Sequence, residues 1–321
     1  MISATPKSWY YVGSSQDLKI GQSKSIEIGQ QSVQIIRTKD GHVKGFSARC
    51  PHMKTELKNS FDPRTEKFVC PMHNWVFNTN GQCLGIPGAG TSLIPDWAKL
   101  STYPVVEKWG GLFLFLNQTP YFPLPFFEDL KSDEVSWSDS FNVFQNNHWY
   151  MAAANGFDLH HFQYVHHRHV LSFKTISNDS NYNRHITIEF ENRSTKIQDK
   201  LMCAVYGSRG CLDFSVWGGN FVLATLKQGK LRNHMMIINK PAELGRSEAS
   251  FILFTPKGKN IFARLKSLLI LRLQAFFTKI FFKEEARMAG GVDLPQNPGP
   301  RDEVLWKYKS WLEDLTQKEL I

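Results

Sequence analysis

The chain begins with short apolar runs separated by turn signals and changes period after its first third. Runs at 33–36, 68–70 and 112–116 are bounded by Gly, Pro, Asn and Asp, as in a small all-β unit. Asn117, Thr119, Pro120, Pro123 and Pro125 then interrupt the pattern, which predicts a linker and two domains, 1–117 and 118–321. Beyond it 142–144 reads as a strand. Segment 155–166 reads as a single helix, led by the good helix formers Ala152, Ala153 and Ala154. Stretches at 185–190, 195–203, 211–216, 221–225, 234–238 and 250–255 are β-rich, and their short connections predict an antiparallel sheet. A closing helix is expected at 302–315. The class is α+β, without internal repeats.

Residues 261–283 repeat at helical spacing. Arg264, Arg272, Lys279 and Lys283 share about 100° of arc and leave a broad face of Leu, Ile and Phe. The primary expectation is a core-packing helix with a solvated edge. The sharper alternative is a basic amphipathic helix that touches an anionic membrane or admits an apolar substrate.

The 321 residues, 42% of them apolar, suffice for two modest domains with a sizeable core. The net charge of +9 is dispersed, with no basic block or aromatic signature for nucleic acid, so none is expected as a partner. The start, Met1 to Ser8, lacks the apolar core of a secretory signal. No uncharged apolar run reaches the roughly 18 residues needed to span a membrane. Five cysteines are present; Cys83, Cys203 and Cys211 are irregularly placed and suggest no disulfide framework.

Two clusters carry the first candidate chemistry: Cys50-Pro51-His52 and Cys70-Pro71-Met72-His73. Two Cys and two His suit tetrahedral zinc, but zinc sites commonly run Cys, Cys, His, His. The order here, with Trp75, Phe77 and the Asn80-Gly81 turn following, resembles a Rieske iron–sulfur segment over roughly the first 115 residues. Asn74 stands where that family usually has Gly. The resemblance implies a [2Fe–2S] cluster held by Cys50, His52, Cys70 and His73, with neutral imidazoles raising its potential. Thiolates of this kind suit a reducing compartment, so a cytoplasmic location is expected.

The second cluster, Asn155-x-x-Asp158-x-x-His161-x(4)-His166, resembles the mononuclear iron motif of the Rieske non-haem iron oxygenases. On that resemblance His161 and His166 are iron ligands, Asp158 links the two metal centres and Asn155 sits beside the iron. Two imidazoles and a carboxylate leave Fe(II) open to O2 and substrate. His148, His160, His167 and His169 crowd the segment, but moving the frame to His160 or His167 loses the spacing to Asp158 or the four-residue gap. The third ligand is expected at Glu285, a Glu where the family has Asp. Glu284, Asp293 and Asp302 are alternatives, and an ordinary charged helix face is the plain reading of 284–285.

The resemblance further implies an all-β Rieske domain followed by a helix-grip catalytic domain. The expected activity is hydroxylation, demethylation or desaturation of a small, apolar molecule. A homotrimer is implied, with His73 of one chain meeting Asp158 of the next. Electrons would come from a ferredoxin or flavin reductase, whose approach a basic surface would accelerate. The chain has no Gly-rich dinucleotide fingerprint, so NAD(P)H would act only through that reductase. The 24 phenylalanines fit an apolar pocket and equally a core. An electron-transfer Rieske protein without oxygenase activity and a zinc-binding module are the competing classes.

Overall fold

The computed structural model describes residues 5–89, 93–176, 181–194 and 197–318. They divide into two compact units: Trp9–Tyr121, and Phe122–Ile321 together with Met1–Ser8. In the first, β1 (Trp9–Ser14), β2 (Ser23–Ile28), β3 (Gln31–Arg37) and β4 (Val43–Ser47) precede four short strands. These are β5 (Phe61–Asp62), β6 (Lys67–Val69), β7 (Val76–Asn78) and β8 (Cys83–Gly85). The unit closes with β9 (Thr102–Tyr103), β10 (Val105–Lys108) and β11 (Gly111–Phe115).

Three sheets result, ordered β1-β11-β10, β2-β3-β4-β9 and β5-β6-β7-β8. The apolar run in β3, interrupted by the buried Gln34, has a structural reason, because the strand is buried on both faces. Val33 and Ile35 pack with Tyr10, Leu112 and Leu114, while Ile36 joins Phe46, Phe68, Cys50 and Cys70. Arg37 ties the sheets together: it donates to Leu18 O at 2.6 Å, Gly41 O at 2.9 Å and both oxygens of Glu107. Gly81 turns β7 into β8 with φ +80°, and a Cβ there would lie 2.5 Å from the Leu100 carbonyl oxygen.

The second unit starts with β12 (Val135–Trp137) and β13 (Phe141–Gln145), then two short helices, α1 (Met151–Ala154) and α2 (Leu159–Tyr164). There follow β14 (Arg168–Ile176), β15 (Asn183–Asn192), α3 (Ile197–Tyr206), β16 (Arg209–Trp217) and β17 (Phe221–Gln228). β18 (Leu231–Pro241), β19 (Ser247–Pro256), α4 (Ile261–Met288) and α5 (Glu303–Lys318) complete the chain. The sheet runs β12-β19-β18-β17-β16-β15-β14, with β13 also on β19. Every pairing in it is antiparallel. One face of the sheet, through Phe214 and Val216, packs on Ala154 and Phe157 and on Tyr308 and Leu312 of α5. Phe157 stacks on Tyr308 at 4.6 Å and meets Phe214 edge-on at 5.8 Å.

Three local expectations are corrected. The β-rich reading of 195–203 gives way to α3 from Ile197; residues 195 and 196 lie outside those described. Ile197, Leu201 and Val205 recur every fourth residue, a helical period. The helix expected across 155–166 is broken between α1 and α2. Gly156 sits so close to the Phe214 ring that a Cβ would lie 2.2 Å from it. Asp158 then turns extended (φ −89°, ψ 94°) and restarts the helix as its N-cap. Helix α4 does not pack as a core helix, for only Leu271, Thr278 and Glu285 are buried along it.

The tight fit at Gly156 generates a test. Gly156→Ala is expected to destabilise the protein by about 1–3 kcal/mol through overpacking. Phe214→Leu should recover part of that loss when combined with it, as read by urea unfolding of the two single variants and the double.

Candidate metal centres

The two Cys/His clusters occupy a pair of loops with the same backbone plan. In the first, the Lys54 N–H donates to Cys50 O at 3.0 Å and the Cys50 N–H to Thr55 O at 2.8 Å. In the second, the Asn74 N–H donates to Cys70 O at 2.9 Å and the Cys70 N–H to Trp75 O at 2.9 Å. Each loop closes through a left-handed residue four positions after its cysteine, Lys54 at φ 58° and Asn74 at φ 56°. Asn is among the few side chains that enter this region routinely, which accounts for its presence where glycine is usual.

The loops bury both thiols, Cys50 and Cys70 each being 1% exposed, and hold His52 and His73 at the surface. The imidazole centroids are 4.8 Å apart, and His52 stacks on the buried Trp75 at 4.6 Å and 6°. Burial pushes the Cys50 thiol up to about 11, with the neighbouring Cys70 adding to the effect. A thiolate in this place therefore needs a bound cation to stabilise it.

The second group comes from three separate elements. His161 lies on α2, His166 follows its C-terminal end and Glu285 is on α4. His161 Nε2 is 2.7 Å from Glu285 Oε1, His166 Nε2 is 3.6 Å from Glu285 Oε2, and the two imidazole nitrogens are 3.0 Å apart. One ligand atom from each lies within 4.8 Å of the others. Asn155, the C-cap of α1, donates its amide to Glu285 Oε1 at 3.1 Å. The Asp158 carboxylate accepts the backbone N–H of His161 at 2.9 Å. The i,i+3 spacing of Asp158 and His161 thus marks a cap and the third residue of the helix, rather than two neighbours on one helix face. His167, left-handed at φ 53°, then turns the chain from His166 into β14.

Burial would raise the Glu285 pKa, but the His161 hydrogen bond, the charges of His161 and His166, and Asn155 outweigh it and hold the carboxyl below its ordinary value. Its Oε2 is buried without a hydrogen-bond partner. The alternative carboxylates are engaged elsewhere or exposed. Asp293 accepts from Tyr150 Oη at 2.7 Å, Asp302 accepts from the Gly299 N–H at 2.8 Å, and Glu284 faces solvent. A cavity of about 360 Å³ opens beside Asn155, Asp158 and His161, lined further by Met151, Val165 and Leu305. The Asn155–Glu285 bond has no signature in the sequence, because its partners are 130 residues apart.

Residues 8–104 match the family described as Rieske [2Fe-2S] domain. The oxygenase component of a Rhodococcus rhodochrous 3-ketosteroid-9-alpha-monooxygenase is 25% identical over 243 residues, 73% of this chain and 61% of that protein. A Ciona intestinalis cholesterol 7-desaturase is 26% identical over 175 residues, 54% of this chain and 37% of that protein. Residues 8–104 thus form a Rieske [2Fe-2S] domain, in a chain similar to Rieske oxygenase components. The chain's Rieske oxygenase fold is also that of dicamba monooxygenase bound to 3,6-dichlorosalicylic acid, with a TM-score of 0.68 at 17% identity over 99% of both chains. This chain spans less than two thirds of the length of the two curated relatives.

The residues present fit the groups used by a Rieske oxygenase. Two buried thiols beside two surface imidazoles match the mixed donor set of a Rieske cluster. A carboxylate with one unsatisfied buried oxygen facing two imidazoles suits a divalent cation with open positions.

The left-handed turns of the first loops can be tested directly. Asn74→Gly should be tolerated, whereas Asn74→Val should cost about 1–2 kcal/mol more in thermal unfolding, because a β-branched residue resists positive φ. Equal stability of the two variants would contradict the loop geometry.

Proposed function

We propose that this chain is the oxygenase component of a Rieske system, using O2 and externally supplied electrons to hydroxylate, demethylate or desaturate a small apolar molecule. The observation that carries this reading is the meeting of His161, His166 and Glu285 within 4.8 Å, in a chain that also has a Rieske unit. On this reading Cys50, His52, Cys70 and His73 hold a [2Fe–2S] cluster, and His161, His166 and Glu285 hold a ferrous ion. When bound, these groups supply single-electron transfer and a place to activate O2.

The protein's own contribution is placement. Asn155 holds one oxygen of Glu285, and Asp158 fixes the first turn of α2 and with it His161. Ligands anchored in this way keep their geometry through turnover. Segment 1–117 serves as the electron-input domain and 118–321 as the catalytic domain.

Two matched proteins are named for a sterol and a 3-ketosteroid, which makes a steroid-like polycycle the first substrate class to examine. A ferredoxin or flavin reductase serves as donor, and the net charge of +9 favours encounter with an acidic one. NAD(P)H acts only through that donor. The working assembly is a homotrimer in the cytoplasm, with Asp158 of one chain bridged to His73 of the next.

Metal analysis tests the ligand sets. Anaerobically purified protein should contain about three irons and two labile sulfides per chain. His161→Ala and Glu285→Ala should each lower iron to the cluster's two and abolish steroid oxidation in the presence of a reductase. Stoichiometric zinc without sulfide would falsify the reading, and three irons in Glu285→Ala would remove that residue from the ligand set.

Asp158 allows charge to be separated from structure. Asn also caps helices well, so Asp158→Asn should keep α2, the thermal midpoint and both metal contents. Loss of the negative charge between the centres should slow reoxidation of the reduced cluster by about 10–100-fold in single-turnover mixing with substrate and O2. An unchanged rate would show that electrons take another route.

A further inference from the structure

Helix α4 carries Glu285 near its C-terminal end, yet most of its length is out of keeping with a helix folded onto its own chain. Leu271, Thr278 and Glu285, the buried residues, form one narrow stripe. On the opposite side Phe262, Leu269, Leu273, Phe276, Phe277 and Ile280 occupy about 100° of arc at 100° per residue. Each of these six is 41–79% exposed. A helix apolar nearly all round is ordinarily enclosed, and an exposed apolar patch of this extent marks an interaction surface.

Charge narrows the choice of occupant. Between the stripe and the open face, Arg264, Arg272, Lys279 and Lys283 line one edge, all exposed. Lys257 and Lys259 precede the helix, and no Asp or Glu occurs from 257 to 283. Among the described residues none of these cations forms an ion pair. A second copy docked face to face would bring two cationic edges together with no acid in the segment to offset them. No helix among the described residues is long and apolar enough to cross a membrane. An apolar face bordered by unpaired cations is the pattern of a helix that lies in a lipid headgroup layer. Lys266, inside the apolar arc, has a stem long enough to snorkel.

We infer that α4 docks this protein on anionic phospholipid surfaces, its outer face sinking among the acyl chains and its basic edge meeting the headgroups. The inference goes beyond the oxygenase reading and does not depend on metal or turnover. The six side chains extend along roughly 27 Å of helix, at about 1.5 Å per residue from Phe262 to Ile280. Such a helix would lie along the surface, and Phe281, one residue further on, has its ring 4.9 Å from His166. A molecule dissolved in the lipid would therefore meet the protein on the helix that also reaches the metal-binding residues.

Co-sedimentation of the full, metal-loaded chain tests this with vesicles of phosphatidylcholine alone and of phosphatidylcholine mixed with phosphatidylglycerol. Wild type should partition onto the mixed vesicles, weakly onto the neutral ones, and less as salt rises. The combined change Leu269→Ser, Leu273→Ser, Phe276→Ser should reduce partitioning by about tenfold or more. Arg272→Gln and Lys279→Gln should each reduce it by about fivefold on the mixed vesicles only. Circular dichroism and iron content establish that each variant is folded; should the triple serine variant fail there, the two glutamine variants and the salt series still decide. Absence of wild-type partitioning overturns the proposal. So does a sedimentation mass that falls in the serine variant while vesicle binding is unaltered, because a second copy would then be what covers the face. Metal content unchanged in a variant that no longer binds vesicles separates this result from any failure of the oxygenase reading.

Discussion

A carboxylate buried near the C-terminal end of a helix is the constraint around which the second unit is arranged. Burial of Glu285 strips its charge of water, and the carbonyl end of α4 is itself negative, so both effects disfavour the ionised form. The offsetting interactions come from elsewhere in the chain: two imidazoles and one side-chain amide. To deliver them, the segment between Asn155 and Asp158 must leave helical geometry. The lack of a Cβ at Gly156 and the capping carboxylate of Asp158 make that break local and sharp. A continuous helix would present the same residues on one cylinder and would not bring Asn155 and His166 to the same carboxylate.

Much of this was legible in the sequence, for reasons that differ by element. The Cys/His loops and the Asp-x-x-His-x(4)-His frame are local, so their spacing survives in one dimension. Glu285 was reachable only through resemblance, since nothing near it distinguishes a ligand from a charged helix face. The break in 155–166 was hidden because Ala152 to Ala154 favour helix and the decisive neighbour, Phe214, is far away in sequence. In 195–203 the β-rich composition concealed a four-residue period. For 261–283, composition showed what the helix is made of, but which side its own chain covers is a tertiary property.

The paired loops of the first unit show how a mixed donor set can arise from one backbone design. Both place a cysteine where the chain enters the core and both close with a left-handed residue four positions on. The histidine, however, is two positions after Cys50 and three after Cys70. That single-residue offset lets two loops of like shape present their imidazoles differently, the His52 ring stacked on Trp75 and the His73 ring meeting the His52 ring at 64°. Thiol burial and imidazole exposure follow from the same plan, so a group held there has an insulated end and an end open to solvent.

The buried stripe of α4 has a consequence for how such a chain can change length. Leu271, Thr278 and Glu285 are spaced seven apart, so the residues that seat the helix also set the rotational phase of its carboxylate. One residue inserted between Leu271 and Glu285 would swing that carboxylate by about 100° away from His161 and His166. Seven would return it to phase but advance it by about 10 Å along the axis. Ahead of Leu271 the helix is held only by exposed bonds, such as Arg264 to Gly258 O and Ser267 to Pro256 O, so a change of length there leaves the phase of the carboxylate untouched. Behind Leu271 it has the rigidity of a ruler, and an indel there would show as lost metal affinity before it showed as lost fold.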